Sequence, residues 1–146
     1  MPRVMFLCTG NSCRSQMAEG WARHLHDDVF ESCSAGTDPQ GLNPLAVRAM
    51  AEVGIDISAY HSKSIAHCDP DTLDLVITVC GHAHEHCPVF TGSARLIHHG
   101  FDDPPRLAAG AKDDEEAMHH YRRVRDEIRD FVMSMPGFFP AKAGHP

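Results

Sequence analysis

Apolar positions along the chain switch between two periods, and the switching lays out the elements. Val4 to Leu7 is an unbroken apolar run, so residues 3 to 7 read as a strand buried on both faces. From Arg14 to about His26 the period becomes helical, carried by Met17, Ala18, Trp21 and Leu25. A short strand is predicted over Phe30 to Ala35, ended by Gly36, with Asp38-Pro39-Gln40-Gly41 as a turn. Asn43 and Pro44 then provide an N-cap and a first-turn proline for a helix striped by Leu45, Ala49, Met50 and Val53, which Gly54 stops. Residues 55 to 70 hold no sustained period, and a loop with one helical turn is expected there.

Leu73 to Val79 is the clearest strand and should be central; Ala94 to His98 is a weaker fourth. Residues 99 to 112 read as a long loop, a feature that compact domains rarely carry without a functional reason. The longest helix runs from Asp114 to Met135, with Tyr121, Val124, Ile128, Phe131, Val132 and Met135 on one stripe. Acids lead it and arginines follow, as the helix dipole favours. Pro136-Gly137 ends it, leaving residues 136–146 as a frayed tail behind a single domain over 1–135. Strands alternating with helices predict the α/β class: a four-stranded parallel sheet flanked by helices on both faces, with ligands beyond the strand C-termini. Cys8, Cys80 and the Asp102-Asp103 pair all follow strands, so they can meet at one edge.

Composition narrows the classes. A chain of 146 residues buries enough surface to need no covalent staple. A formal charge of −7 without a basic patch argues against nucleic acid as a partner, though not against an anion held by local dipoles. The opening apolar run is too short for a signal peptide, and no stretch is long enough to span a bilayer. A soluble, cytoplasmic monomer with no membrane partner is the expectation. In a reducing compartment the six cysteines read as catalytic, redox-active or metal-binding rather than as structural disulfides, with Cys33 and Cys68 as ordinary packing residues.

The candidate chemistry centres on Cys8-Thr9-Gly10-Asn11-Ser12-Cys13-Arg14-Ser15, between the first strand and the first helix. A loop there turns backbone amides inward and makes a cradle for a tetrahedral oxyanion, with Cys8 at its floor. The helix beginning near Arg14 aims its free N–H groups at that floor, favouring an anion and a thiolate. Arg14 can bond two ligand oxygens through its planar fork. Gly10 permits close backbone approach, Asn11 tolerates a left-handed conformation, and Ser15 falls within reach of the Cys8 sulfur. Thr9, Gly10, Asn11, Ser12, Cys13 and Arg14 are the substrate-binding candidates, Cys13 as a packing residue of the cradle.

The segment from Cys80 to Cys87 is the second signal, with His82, His84 and His86 between the two thiols. Metal binding is one reading, although alternating histidines spread around a helix axis and only an extended chain converges them. Redox chemistry is the other. In a helix the two cysteines lie about 10 Å apart, against the roughly 5.5 Å of a disulfide, so oxidation must unwind the segment.

Together, residues 8 to 21, Ser34-Ala35-Gly36, Asn43-Pro44, the thiols at 80 and 87, Gly100 to Pro104 and Arg123 to Ile128 resemble the thioredoxin-coupled arsenate reductases, which share their fold with the low-molecular-weight tyrosine phosphatases. The resemblance implies a three-thiol relay: Cys8 attacks arsenate, Asp103 donates a proton, Cys80 attacks Cys8 and releases arsenite, and Cys87 attacks Cys80 to leave a disulfide for thioredoxin. It implies no cofactor. Phosphate can occupy such a cradle, but thiols cannot reduce it. By the same resemblance Asp102 is a turn or capping residue. Some members bind potassium at positions matching Asn11, Glu19 and Ser34; here the fourth position is Lys63, whose ammonium replaces the ion, so no potassium dependence is expected. A tyrosine phosphatase is the alternative of the same fold, disfavoured by Pro105 where that group carries an aromatic residue. A metal-binding or metal-sensing protein built on residues 80 to 87 is the alternative of another class.

Overall fold

A computed structural model describes residues 1–80 and 94–139. Cys87, His82, His84, His86 and the end of the expected tail lie outside the described residues. Strand β1 (Arg3–Cys8) leads into helix α1 (Arg14–His26), followed by β2 (Glu31–Gly36) and α2 (Pro44–Glu52). Two 3₁₀ turns (Ile65–Cys68 and Pro70–Thr72) precede β3 (Leu75–Thr78); β4 (Arg95–His98), a short α3 (Pro104–Leu107) and the long α4 (Asp114–Ser134) follow. The strands form one parallel sheet in the order β2-β1-β3-β4, so the first and third strands are the inner pair.

Burial explains that order. The apolar runs Val4 to Leu7 and Leu75 to Ile77 are shielded on both faces, as only inner parallel strands require, whereas the edge strand β4 exposes Arg95, Leu96 and His98. Phe6 alone, fully buried, contributes about 1.5–3 kcal/mol of transfer free energy. On α1, Met17, Ala18 and Trp21 face the core, and the Trp21 indole donates to the Arg125 carbonyl of α4 at 3.1 Å. The α4 stripe is buried at Tyr121, Val124, Ile128 and Val132. Asp113 caps it through the Glu116 amide at 2.8 Å, and Asn43 caps α2 through the amides of Leu45 and Ala46.

Three expectations change. The stretch 99–112 is not all loop, since Pro104-Pro105 starts the turn α3, where prolines without N–H groups cost nothing. Residues 136–139 pack on the body: a 3₁₀ turn spans Met135–Phe138, Phe138 accepts from Arg95 at 2.6 Å, and Phe139 stacks on Phe30 with centroids 5.4 Å apart. Finally, Cys33 and Cys68 form a disulfide with Cα atoms 5.9 Å apart, joining β2 to the first 3₁₀ turn. No sequence period marks that pair, because only the folded path brings positions 35 apart into range.

Candidate active site

The loop after β1 is held open from outside. Amides of a second segment take its carbonyls in turn: Thr37 donates to Cys8, Asp38 to Thr9, Gln40 to Gly10 and Asn43 to Ser12, at 2.9–3.1 Å. Ser62 Oγ donates to the Gly10 and Asn11 carbonyls at 3.1 and 2.7 Å. With the loop's carbonyls taken from outside, the amides of Gly10, Ser12, Cys13 and Arg14 meet no protein acceptor among the described residues, which leaves them available to an oxyanion. Asn11 adopts the left-handed conformation, φ 46°, that the loop's curvature demands.

Cys8 ends β1 almost fully buried at the cradle's floor. The Ser15 hydroxyl lies 2.8 Å from its sulfur, and the Asn11 amide donates to it at 3.2 Å. Asn11 Nδ2 donates in turn to Ser15 Oγ at 2.8 Å, which fixes the hydroxyl. Burial pushes the Cys8 thiol up, and the hydrogen bonds from Ser15 and Asn11 pull against it without cancelling it. Cys13, also buried, is pushed up by burial first and then by Asp103, and serves as packing beneath the loop.

The other strand ends arrive where topology places them. Cys80 follows β3, is buried, and its sulfur lies 3.4 Å from Thr9 Oγ1; it is close enough to Cys8 that a charge on either opposes a charge on the other. Arg14 donates to the Phe101 carbonyl at 2.9 Å and meets Asp103 at 3.6 Å. Asp103, at the start of α3, stands 38 % exposed at a cleft of about 350 Å³ lined by Arg14, Phe101, Asp102, Asp103, Arg106 and Leu107. Asp102 neither caps nor turns the chain; it pairs with Arg123 of α4 at 3.0 Å, while Asp103 takes the capping position. Beside the cradle, Lys63 Nζ lies 3.4 Å from both Glu19 Oε1 and Ser34 Oγ, and Ser34 donates to Glu19 at 2.6 Å. An ammonium therefore sits among these oxygens.

Two supporting residues were not singled out in the sequence. Gln16, fully buried, donates through Nε2 to the Asn11 carbonyl, Asn11 Oδ1 and the His61 carbonyl, all within 3.1 Å. Ser62 grips the loop from the other side. A polar Gln16 next to Met17 and Ala18 on a core-facing helix was the available signal for the first; Ser62 lies in a stretch with no period and gave none.

A sequence profile of the low molecular weight phosphotyrosine protein phosphatases matches residues 3–135. An arsenate reductase of Halalkalibacterium halodurans is 50% identical over 125 residues, covering 86% of this chain and 88% of its own. Among solved structures, an arsenate reductase in an oxidized state superposes with a TM-score of 0.78 at 31% identity, over 94% of this chain and 98% of its own. Another, in a phosphate binding state, superposes at 0.75 and 32% identity, over 96% and 100%. With a cysteine at the floor of an amide-lined loop, a second thiol at the next strand end and these likenesses over nearly its whole length, the chain belongs to the low-molecular-weight phosphotyrosine protein phosphatase family, among that family's arsenate reductases.

Proposed function

We propose that the chain reduces arsenate to arsenite by a relay through Cys8, Cys80 and Cys87, with thioredoxin as the final electron donor. The observation that carries this reading is the approach of Cys80, through Thr9 Oγ1 at 3.4 Å, to a cradle whose floor is Cys8. The loop amides and the α1 terminus bind the oxyanion, and Arg14, shifting from the Phe101 carbonyl, holds two of its oxygens. Cys8 attacks arsenic as Asp103, beside Arg14, protonates the departing hydroxide. Cys80 then attacks the Cys8 sulfur. The sulfur–arsenic bond breaks with its electron pair moving onto arsenic, arsenite departs, and a Cys8–Cys80 disulfide remains. Cys87 attacks Cys80, frees Cys8 and leaves a Cys80–Cys87 disulfide for a dithiol donor.

Arsenite release in a single turnover tests the relay. The expected result is no product from Cys8→Ser or Cys80→Ser, and one equivalent without recycling from Cys87→Ser. Repeated turnover by Cys80→Ser would overturn the assignment. The family profile keeps phosphoryl chemistry as the second reading. Aryl phosphate hydrolysis that survives Cys80→Ser would favour it.

A further inference from the structure

The relay leaves Cys33 and Cys68 without a role, yet the structure joins them. Their link lies at the outer edge of the sheet, beside the segment that braces the cradle. That segment, residues 61–68, reaches β2 by a bridge between Gly36 and Ser64, in which the Gly36 amide donates to the Lys63 carbonyl at 2.9 Å. From it the Ser62 hydroxyl grips the Gly10 and Asn11 carbonyls, the Lys63 amide donates to Asn11 Oδ1 at 3.0 Å, and the His61 carbonyl receives Gln16. All of these converge on Asn11, the left-handed residue of the loop. The disulfide ties the far end of the same segment to the same strand. Its sulfurs also differ in access: Cys33 is partly exposed, whereas Cys68 is 1% exposed.

We propose that Cys33–Cys68 is a second thiol–disulfide site, separate from the relay, which small dithiols open and close and which sets how tightly the cradle holds an oxyanion. A dithiol's thiolate attacks the accessible Cys33 sulfur. The bond between the two cysteines breaks, and Cys68 leaves as a thiolate and takes a proton. The reagent's second thiol resolves the mixed disulfide, freeing Cys33 and closing its own disulfide, so two electrons pass from reagent to protein. The oxidised reagent closes the site by the same steps in reverse. Once open, residues 61–68 are tied to β2 noncovalently, through the Gly36–Ser64 bridge and the Lys63–Ser34 contact, and Ser62 and Lys63 hold Asn11 less firmly.

The proposal rests on the oxyanion cradle and not on the relay. The test therefore uses the full chain carrying Cys80→Ala and Cys87→Ala, with inorganic phosphate as the probe. Peptide mapping after alkylation follows the 33–68 link before and after dithiothreitol, and calorimetry reads phosphate affinity in each state. The expected result is a link that opens without unfolding, with phosphate bound roughly three- to tenfold more weakly, the scale of one lost hydrogen bond. Reoxidation restores the affinity, and adding Cys33→Ser and Cys68→Ser gives the weak state with no response to dithiol. Should that variant fail to fold, the reduced and reoxidised forms of the first protein carry the comparison. A link absent from oxidised protein, resistant to dithiol until unfolding, or without effect on a measurable phosphate affinity overturns the proposal. Absence of phosphate binding in both states would instead fault the cradle itself, and the coupling with it.

Discussion

Cys8 sits between opposed influences, because burial raises its thiol while the Ser15 hydroxyl and the Asn11 amide lower it. Removing Ser15 deletes the larger of the lowering contacts. Ser15→Ala should therefore push the thiol higher still, so that less thiolate is present at pH 7–8 and alkylation of Cys8 by iodoacetamide slows severalfold. Rates measured against pH check this: the profile should move to higher pH, not merely fall in amplitude. Lys63 offers a second test. Its ammonium lies 3.4 Å from Glu19 and Ser34, and both Lys63 and Arg23 pair with the buried Glu19 carboxylate. A second cation there meets like charge, so activity and melting temperature should be the same in potassium and sodium salts. At this scale the sequence was legible where a residue type answers a local need of the loop, as at Asn11 and Ser15, while Lys63 was reached only through the family resemblance. It was silent where the partner is remote: nothing near Cys33 names Cys68, and Asp102 meets Arg123 only because α4 passes the end of β4.

Element by element, capping and periodicity located α1, α2 and α4 because their signals are local, but not the short α3, and β3 is shorter than the apolar run that announced it. The way helices pair was not local. Glu52, at the end of α2, accepts Arg122 at 2.8 Å and Arg125 at 2.9 Å from α4, an arrangement that no spacing within either helix displays. Arg122 first, then Arg125, holds the Glu52 carboxyl down at about 2. A carboxylate lowered in the fold contributes stability that is present above its unfolded value near 4.5 and is lost as pH falls toward 2. Glu52→Gln should cost about 1 kcal/mol at pH 7, after allowance for its partial exposure to solvent. The difference from the unsubstituted chain should shrink through that acid range, as read by urea denaturation at a series of pH values. The α2 cap gives a second measurement. Asn43 caps two amides and donates to the Tyr121 hydroxyl at 2.9 Å. Asn43→Ala should cost about 1–2 kcal/mol, more than an isolated cap, since it leaves the buried Tyr121 phenol without that donor.

On the scale of the whole molecule, the site is a product of strand order. Cys8, Cys80 and Asp103 come from three separate strand ends, and the inner position of β1 and β3 sets the two thiols side by side. Alternating apolar periods were enough to anticipate that convergence, because parallel strands present their C-terminal ends to one edge. They could not show how the cradle is braced, which depends on the segment after β2 crossing the loop and donating four backbone hydrogen bonds to it. Gly36 is where that crossing is closest. A Cβ built there would stand 2.5 Å from the Thr9 carbonyl oxygen and 3.0 Å from the Asn11 amide nitrogen, and both are backbone atoms with no side-chain freedom to yield. Gly36→Ala must therefore displace either the end of β2 or the cradle. Because β2 is bridged to residue 64 on one side and paired along β1 on the other, the loop should give way. Overpacking of this kind costs about 1–3 kcal/mol. The larger loss should fall on function, since amides aimed at one oxyanion lose their aim with a shift of about 1 Å, worth roughly a hundredfold in rate. Phosphate affinity and single-turnover arsenite release should thus fall much further than the melting temperature suggests. Equal losses in stability and binding would mean that the strand had moved and the cradle had kept its shape.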